Sequence, residues 1–334
     1  MTETSTLTQT DRDQLVLAEL DAIMRSTFQL WDQEWVGFSW RNYTYDHVRR
    51  VRNLAMSLGA EEGADTRVID FAAVLHDITK SYDGEIIMKD SKRVLDANGF
   101  WQNEFLEPRR RNAVTDWYNR LDLRGQLHNV SGAAIADALL EERGYPGDFR
   151  KHVAEVIRTH LMVKGWSSLE GRCLYDADTI DANIGHPAFF RNVHISMRNM
   201  ERQFHQRGES VDDFLHHNMR QHLDQYVKEK LPPWISGKYK DFVPKMTTEA
   251  GRQRALDRIG RLEETVAGMT NELDNYDEEI EHGRLAVLVY FIRHRKNPAL
   301  SEQFPELHAR WPLGLDTGAA MYLTTLQREV DGVW

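Results

Sequence analysis

The sequence predicts an all-α protein, and three observations carry the prediction. Apolar residues recur three and four positions apart over long stretches, the spacing of one helix face. No series of alternating strand segments joined by hairpin signals is present. Turn-forming clusters separate the periodic stretches: "LGAEEGADT" at 58–66, "SYDGE" at 81–85, "ERGYPGD" at 142–148, "GHP" at 185–187, "LPPW" at 231–234 and "KNPAL" at 296–300.

In chain order, "LVLAELDAIMRSTFQLW" at 15–31 is the first periodic stretch. In "HVRRVRNLAMSL" at 47–58, His47 opens a helix and is followed by Val51, Leu54 and Leu58 on one face, so its imidazole points toward the core. In "VIDFAAVLHDI" at 68–78, the inward stripe of Ile69, Ala72 and Ala73 ends in His76, with Asp77 next around the turn. His128 precedes "NVSGAAIADALL", where Gly132 and Ala136 permit another helix to approach closely. His160 continues the apolar face of Val153, Val156 and Ile157. "LYDADTIDANIG" at 174–185 sets Asp176, Asp178 and Asp181 in a mostly apolar helix. The segment 250–282, with Ala255, Ile259, Leu262 and Val266 among alternating charges, fits two readings: an amphipathic helix packed on its own chain, or a dimerisation helix of a homo-oligomer. "LAVLVYFI" at 285–292 is far short of the roughly 20 residues that span a bilayer.

Composition narrows the function. The formal charge of −10 opposes nonspecific binding to nucleic acid, which draws on clustered Lys and Arg. The polar, acidic start "MTETSTLTQTDRDQ" lacks the basic and apolar segments of a secretory signal, and the expected location is cytoplasmic with no membrane partner. The single cysteine, Cys173, excludes an internal disulfide and any multi-thiolate zinc site, so a metal would be held by nitrogen and oxygen. One histidine on an apolar face is commonly a hydrogen-bonded core residue. Five inward placements of ligand-type residues, with acids in an apolar helix, call for compensation, because unpaired buried carboxylates are strongly penalised. A divalent metal supplies it; buried ion pairs or waters do so as well.

The order of these residues resembles the HD superfamily of metal-dependent phosphohydrolases, an all-α helical bundle. The resemblance rests on "YDHVRRVRNLA", "AAVLHDITK", "HNVSGAAIADALLEERG", "VIRTHL" and "LYDADTIDANIGHPAFFR", over about residues 40–195. "KYKDFVPKMTTEAGRQRALDRIGRLEETV" at 238–266 is similar to the C-terminal segment of the branch that includes bacterial HD nucleotide pyrophosphohydrolases. The implied organisation is an N-terminal tail and helix at 1–39, an HD metal-binding core at 40–200 and a C-terminal helical extension at 201–334.

The resemblance implies metal ligands His47, His76, Asp77 and Asp178, with Asp176 beside the ligand shell. His128 and His160 fall where two-metal members carry extra histidines, which implies one or two ions, with Asp77 bridging if there are two. Manganese, iron, cobalt, nickel, magnesium and zinc all suit such donors. Asp77, Lys80 and Asp181 are the candidate catalytic residues, and Lys164 and Arg191 the candidate contacts to a phosphorylated substrate such as a nucleotide. Lys80 also reads as a cation at a helix C-terminus, and the basic run "EPRRRN" at 107–112 as a solvated helix start or a polyphosphate contact. The expected activity is hydrolysis of a phosphate ester or phosphoanhydride by metal-activated water. The alternatives are an HD-type di-iron oxygenase similar to myo-inositol oxygenase and a noncatalytic nucleotide-binding HD module.

Overall fold

The computed structural model describes residues 8–36, 39–90, 92–95 and 102–333. Apart from two short hairpins, Trp35–Val36 with Ser39–Trp40 and Met88–Lys89 with Lys92–Arg93, its regular structure is helical. The chain forms two compact units, residues 1–175 and 176–334. Among the described residues, no helix is long and apolar enough to cross a membrane.

The first unit holds helices α1 (Gln9–Phe28), α2 (Arg41–Glu62), α3 (Thr66–Leu75), α4 (Ala113–Arg120), α5 (His128–Glu142) and α6 (Gly147–Thr159). Helix α1 starts at a capping box in which the Thr8 side chain accepts from Asp11 N and Asp11 accepts from Thr8 N. Helix α3 starts where Asp65 accepts from the backbone of Arg67 and Val68. Every residue of α3 from Val68 to Leu75 is buried, and α1, α2, α5 and α6 all pack on it. Helix α5 meets the end of α3 at Gly132, where a Cβ would stand 3.4 Å from the His76 carbonyl oxygen, an ordinary van der Waals contact. The Thr79 hydroxyl then ties the two segments, 3.1 Å from the His128 carbonyl oxygen and 2.7 Å from Ser131 Oγ.

Helix α7 (Leu169–Asn183) begins in the first unit and ends in the second. The second unit continues with α8 (His186–Gln206), α9 (Val211–Gln225), α10 (Leu231–Asp241), α11 (Glu249–Asp274), α12 (Tyr276–Glu279), α13 (Arg284–Arg293), α14 (Leu300–Arg310) and α15 (Gly318–Asp331). Helix α13 is buried on all sides from Leu285 to Ile292, as its continuous apolar run requires, with α8, α11 and α15 around it. Ala255, Ile259, Leu262 and Val266 of α11 are buried, and α10, α13 and α15 pack on that helix. Its apolar stripe is thus used inside its own unit.

Two expected breaks differ from the structure. Helix α2 runs through most of "LGAEEGADT" and ends only at Glu62. At "LPPW" the chain stays helical, because a π-helical turn at Tyr226–Lys230 leads into α10 and both prolines lie in its first turn, where a missing N–H leaves no bond unmade.

Asp176 anchors the start of α11. It accepts from Thr247 N at 2.9 Å, Thr247 Oγ1 at 3.0 Å, Thr248 N at 2.8 Å and Thr248 Oγ1 at 2.7 Å. Burial pushes the Asp176 pKa up, against the pull of these four bonds. A Cβ on Gly251 would lie 2.8 Å from Asp176 Cγ. Gly251→Ala is therefore expected to cost about 1–3 kcal/mol through overpacking, read as a lower midpoint in urea unfolding; an unchanged midpoint would show that the anchor yields at no cost.

A second buried polar cluster joins the ends of this unit. Glu329 on α15 accepts from His186 N at 2.7 Å and contacts His186 Nδ1 at 3.1 Å, while His186 Nε2 meets Thr265 Oγ1 at 2.9 Å. The fully buried Arg258 donates through Nη2 to the Glu329 carbonyl oxygen at 2.8 Å and holds Nε 3.9 Å from its carboxylate.

Candidate metal centre

The site grows out of two helix ends. His76 follows the last residue of α3 and His160 the last residue of α6, positions where backbone carbonyls lack helical partners. Each ring turns back onto such a carbonyl: His76 Nδ1 lies 2.8 Å from Ala73 O and His160 Nδ1 lies 2.6 Å from Ile157 O. A carbonyl can only accept, so the proton sits on Nδ1 and the Nε2 lone pair faces inward. His128, the first residue of α5, is held the same way by a carboxylate, its Nδ1 2.5 Å from Asp83 Oδ2. His47 lies in the second turn of α2 and not at its start, because the helix begins at Arg41; its ring is parallel to that of Tyr43.

All four rings converge on Asp77. His47 Nε2 and His76 Nε2 lie 3.8 and 3.6 Å from Asp77 Oδ2. His128 Nε2 and His160 Nε2 lie 3.4 and 3.8 Å from Asp77 Oδ1. One carboxylate oxygen thus faces each histidine pair. The result is two donor trios, His47–His76–Asp77 and Asp77–His128–His160, each with its donor atoms within 4.8 Å of one another. Neighbouring donors on a tetrahedral ion with bonds of about 2.1 Å stand about 3.4 Å apart, so the spacing suits a metal of that size. Asp77 Oδ1 and His128 Nε2 are also buried without a hydrogen bond. The donor set fits a divalent ion.

Electrostatics hold the carboxylate charged. Burial pushes the Asp77 pKa up, but Lys80, His76, His128 and His47 outweigh it and bring it well below the ordinary value. Burial lowers the pKa of His128, and the Asp83 carboxylate reverses this to a net rise. Lys80 Nζ lies 2.6 Å from Asp77 Oδ2, so this cation is paired with the central carboxylate.

The sequence names four further candidates. Lys164 is exposed in the turn after α6, its Nζ beside Met162 Sδ. Asp178, half-buried, and Asp181, fully buried, belong to the second unit on α7, where the charge of Asp181 favours the Arg258 guanidinium. Arg191 on α8 is half-buried near Lys238. Burial pushes the Lys238 pKa down to about 8, with Arg191 adding to the shift and Asp241 opposing it. Arg109 and Arg110 pair at the surface with Asp32, and Arg111 with Asp116, which matches the solvated reading of that run. Asp83 is the residue that sequence reasoning missed; its only signal is an acid seven residues past His76, inside a stretch read as a break.

Residues 44–183 match the family model of the HD domain. No curated protein matches the chain significantly. Among solved structures, the chain is similar to a predicted HD superfamily hydrolase from an uncultured Thermotogales bacterium, with 21% identity, 76% of this chain and 91% of the other covered, and a TM-score of 0.42. It is also similar to Bacillus subtilis YpgQ in complex with ADP, with 16% identity, coverage of 78% and 96%, and a TM-score of 0.40.

Proposed function

The chain carries an HD domain in residues 44–183, and from that premise we propose that it is a metal-dependent hydrolase of a phosphate ester or phosphoanhydride, with a nucleotide as the substrate class. The observation that carries this reading is the position of Asp77, with one carboxylate oxygen toward each of two imidazole pairs. His47, His76 and Asp77 would hold one ion, and Asp77, His128 and His160 a second; Asp178 is added as a ligand on the family resemblance. A bound divalent ion supplies a water of lowered pKa and charge stabilisation at a phosphoryl oxygen.

The chain's own residues do the rest. The Ala73 and Ile157 carbonyls fix the ring orientation of His76 and His160, and Asp83 fixes His128. Lys80 keeps the Asp77 carboxylate in place, and we assign it, with Asp181, to proton and charge handling during turnover. Lys164 and Arg191 are assigned to the substrate's phosphates. The di-iron oxygenase reading stands second, because a carboxylate set between two histidine pairs would also suit iron.

Elemental analysis of the purified protein, combined with phosphate release from a nucleotide panel under manganese and under anaerobic iron, separates the two. Metal-dependent release from at least one nucleotide is expected. Two irons per chain, oxygen uptake and no release would replace this reading with the oxygenase. Asp83→Asn is expected to weaken metal affinity about 10–100-fold through loss of ring orientation, measured by competition with a chelator; a change below twofold would mean that His128 is positioned by other groups.

A further inference from the structure

Helix α10 carries in its last turn a lysine that nothing neutralises. Lys238 is only 8% exposed, and its Nζ lies 4.2 Å from the centre of the Trp234 ring and 4.9 Å from that of Phe242. Trp234 in turn meets Phe189 of α8, with ring centres 6.3 Å apart. Among the described residues Lys238 Nζ makes no hydrogen bond and no ion pair, yet it keeps an opening to solvent. Asp241, whose charge favours the ammonium, turns back over its own helix, its Oδ2 3.6 Å from where a Gly237 Cβ would stand. Arg191, half-buried and two residues past Phe189, brings a second positive charge to Lys238.

What these groups lack is an anion with several acceptor oxygens. An ammonium carries three donors and no acceptor, and taking it out of water without hydrogen bonds is costly. The two ring faces offset that cost only in part, and a second cation adds repulsion. Loss of the proton does not resolve the conflict: burial and Arg191 push the Lys238 pKa down to about 8, with Asp241 opposing, so most of the amine stays charged at pH 7. A phosphate group meets each demand. Its oxygens accept from an ammonium as a compact point charge and from a guanidinium as a planar fork, and its two charges balance two cations where a carboxylate leaves one over.

We propose that Lys238 and Arg191 together bind one phosphate group of a small molecule, with the Trp234 and Phe242 rings holding the Lys238 side chain in place. Lys238 is thereby added to the phosphate contacts assigned above. The proposal deepens the hydrolase reading and rests on it only in taking that phosphate from the substrate or from the released product.

The test is trace acetylation of the full-length protein with acetic anhydride, read lysine by lysine by mass spectrometry, with the exposed Lys151 and Lys240 as internal references. A bound phosphate covers the Lys238 amine and keeps it protonated. Inorganic phosphate, pyrophosphate or adenosine triphosphate is therefore expected to slow Lys238 acetylation at least fivefold at saturation, relative to the two references. The concentration for half protection is expected to rise at least fivefold in Arg191→Gln. Calorimetric binding of the protecting anion is expected to weaken by the same factor in Lys238→Gln; if either variant does not fold, the other and the labelling of the unaltered protein still decide. Protection by adenosine triphosphate at lower concentration than by inorganic phosphate assigns the site to the substrate, and the reverse order to the product; both support it. Protection below fivefold with all three anions, or protection that Arg191→Gln shifts by less than fivefold, overturns the proposal and leaves Lys238 as a brace between two rings. Arg191-dependent protection in a protein that releases no phosphate with any metal supports the phosphate site and removes the hydrolase reading.

Discussion

Asp77→Asn is expected to lower metal affinity by ~100-fold or more and to remove phosphate release with it, the largest functional effect of any single substitution in the chain. The carboxylate presents an acceptor to each histidine pair. A carboxamide keeps one acceptor and turns an N–H₂ donor toward the other pair, where the Nε2 atoms face inward. One trio therefore loses its anionic donor altogether, and the other keeps only a neutral oxygen. Losing an outer-shell partner alone costs about 10–100-fold, and Asp77 is placed inside the donor shell itself. Elemental analysis after dialysis and phosphate release on the same sample read the effect. Full metal content with activity intact would move the centre away from Asp77.

Glu329→Ala is expected to give the largest loss of stability. Its carboxylate accepts from His186 N, contacts His186 Nδ1 and faces the guanidinium groups of Arg258 and Arg261. Removing one side of a buried ion pair costs about 3–5 kcal/mol. For a unit of this size that lowers Tm by roughly 6–20 °C, read by scanning calorimetry. The effect has a definite pH dependence. Burial pushes the Glu329 pKa up, but His186, Arg258 and Arg261 bring it below the ordinary 4.5. A depressed carboxylate pKa means that the charge stabilises the fold above the unfolded-state value, and that this contribution fades as pH falls from about 4.5 through the folded-state pKa. Glu329→Gln is therefore expected to melt well below the unaltered protein at pH 7, with the gap closing in acid. A gap that stays constant down to pH 3 would assign the effect to shape instead of charge.

Much of the fold and of the candidate donor cluster can be read from the sequence, for a physical reason. Helical periodicity is a local signal, and His47, His76 and His160 each continue an apolar stripe, so inward direction follows from spacing alone. The strand pairs 35–36 with 39–40 and 88–89 with 92–93 escape because each strand has only two residues, too few to alternate. Asp83 escapes because its role depends on a partner 45 residues away, across a turn whose geometry the sequence does not display. Asp176 shows the same limit: as one acid among three in "DADTID" it reads as a residue beside the ligand shell, whereas Thr247 and Thr248, more than 70 residues on, occupy its oxygens.

The Glu329–His186 bond also sets a schedule. Its partners are 143 residues apart, and at about 5–20 residues per second a ribosome needs roughly 7–30 s to pass from one to the other. During that interval the Arg258 guanidinium, destined for full burial, has been made before its carboxylate exists. The first unit draws the donors of both trios from residues 47–160, so both trios are synthesised well before the second unit can close. A pause in translation between residues 258 and 329 would leave a chain that already holds both donor trios while its C-terminal half is still open to chaperones and proteases.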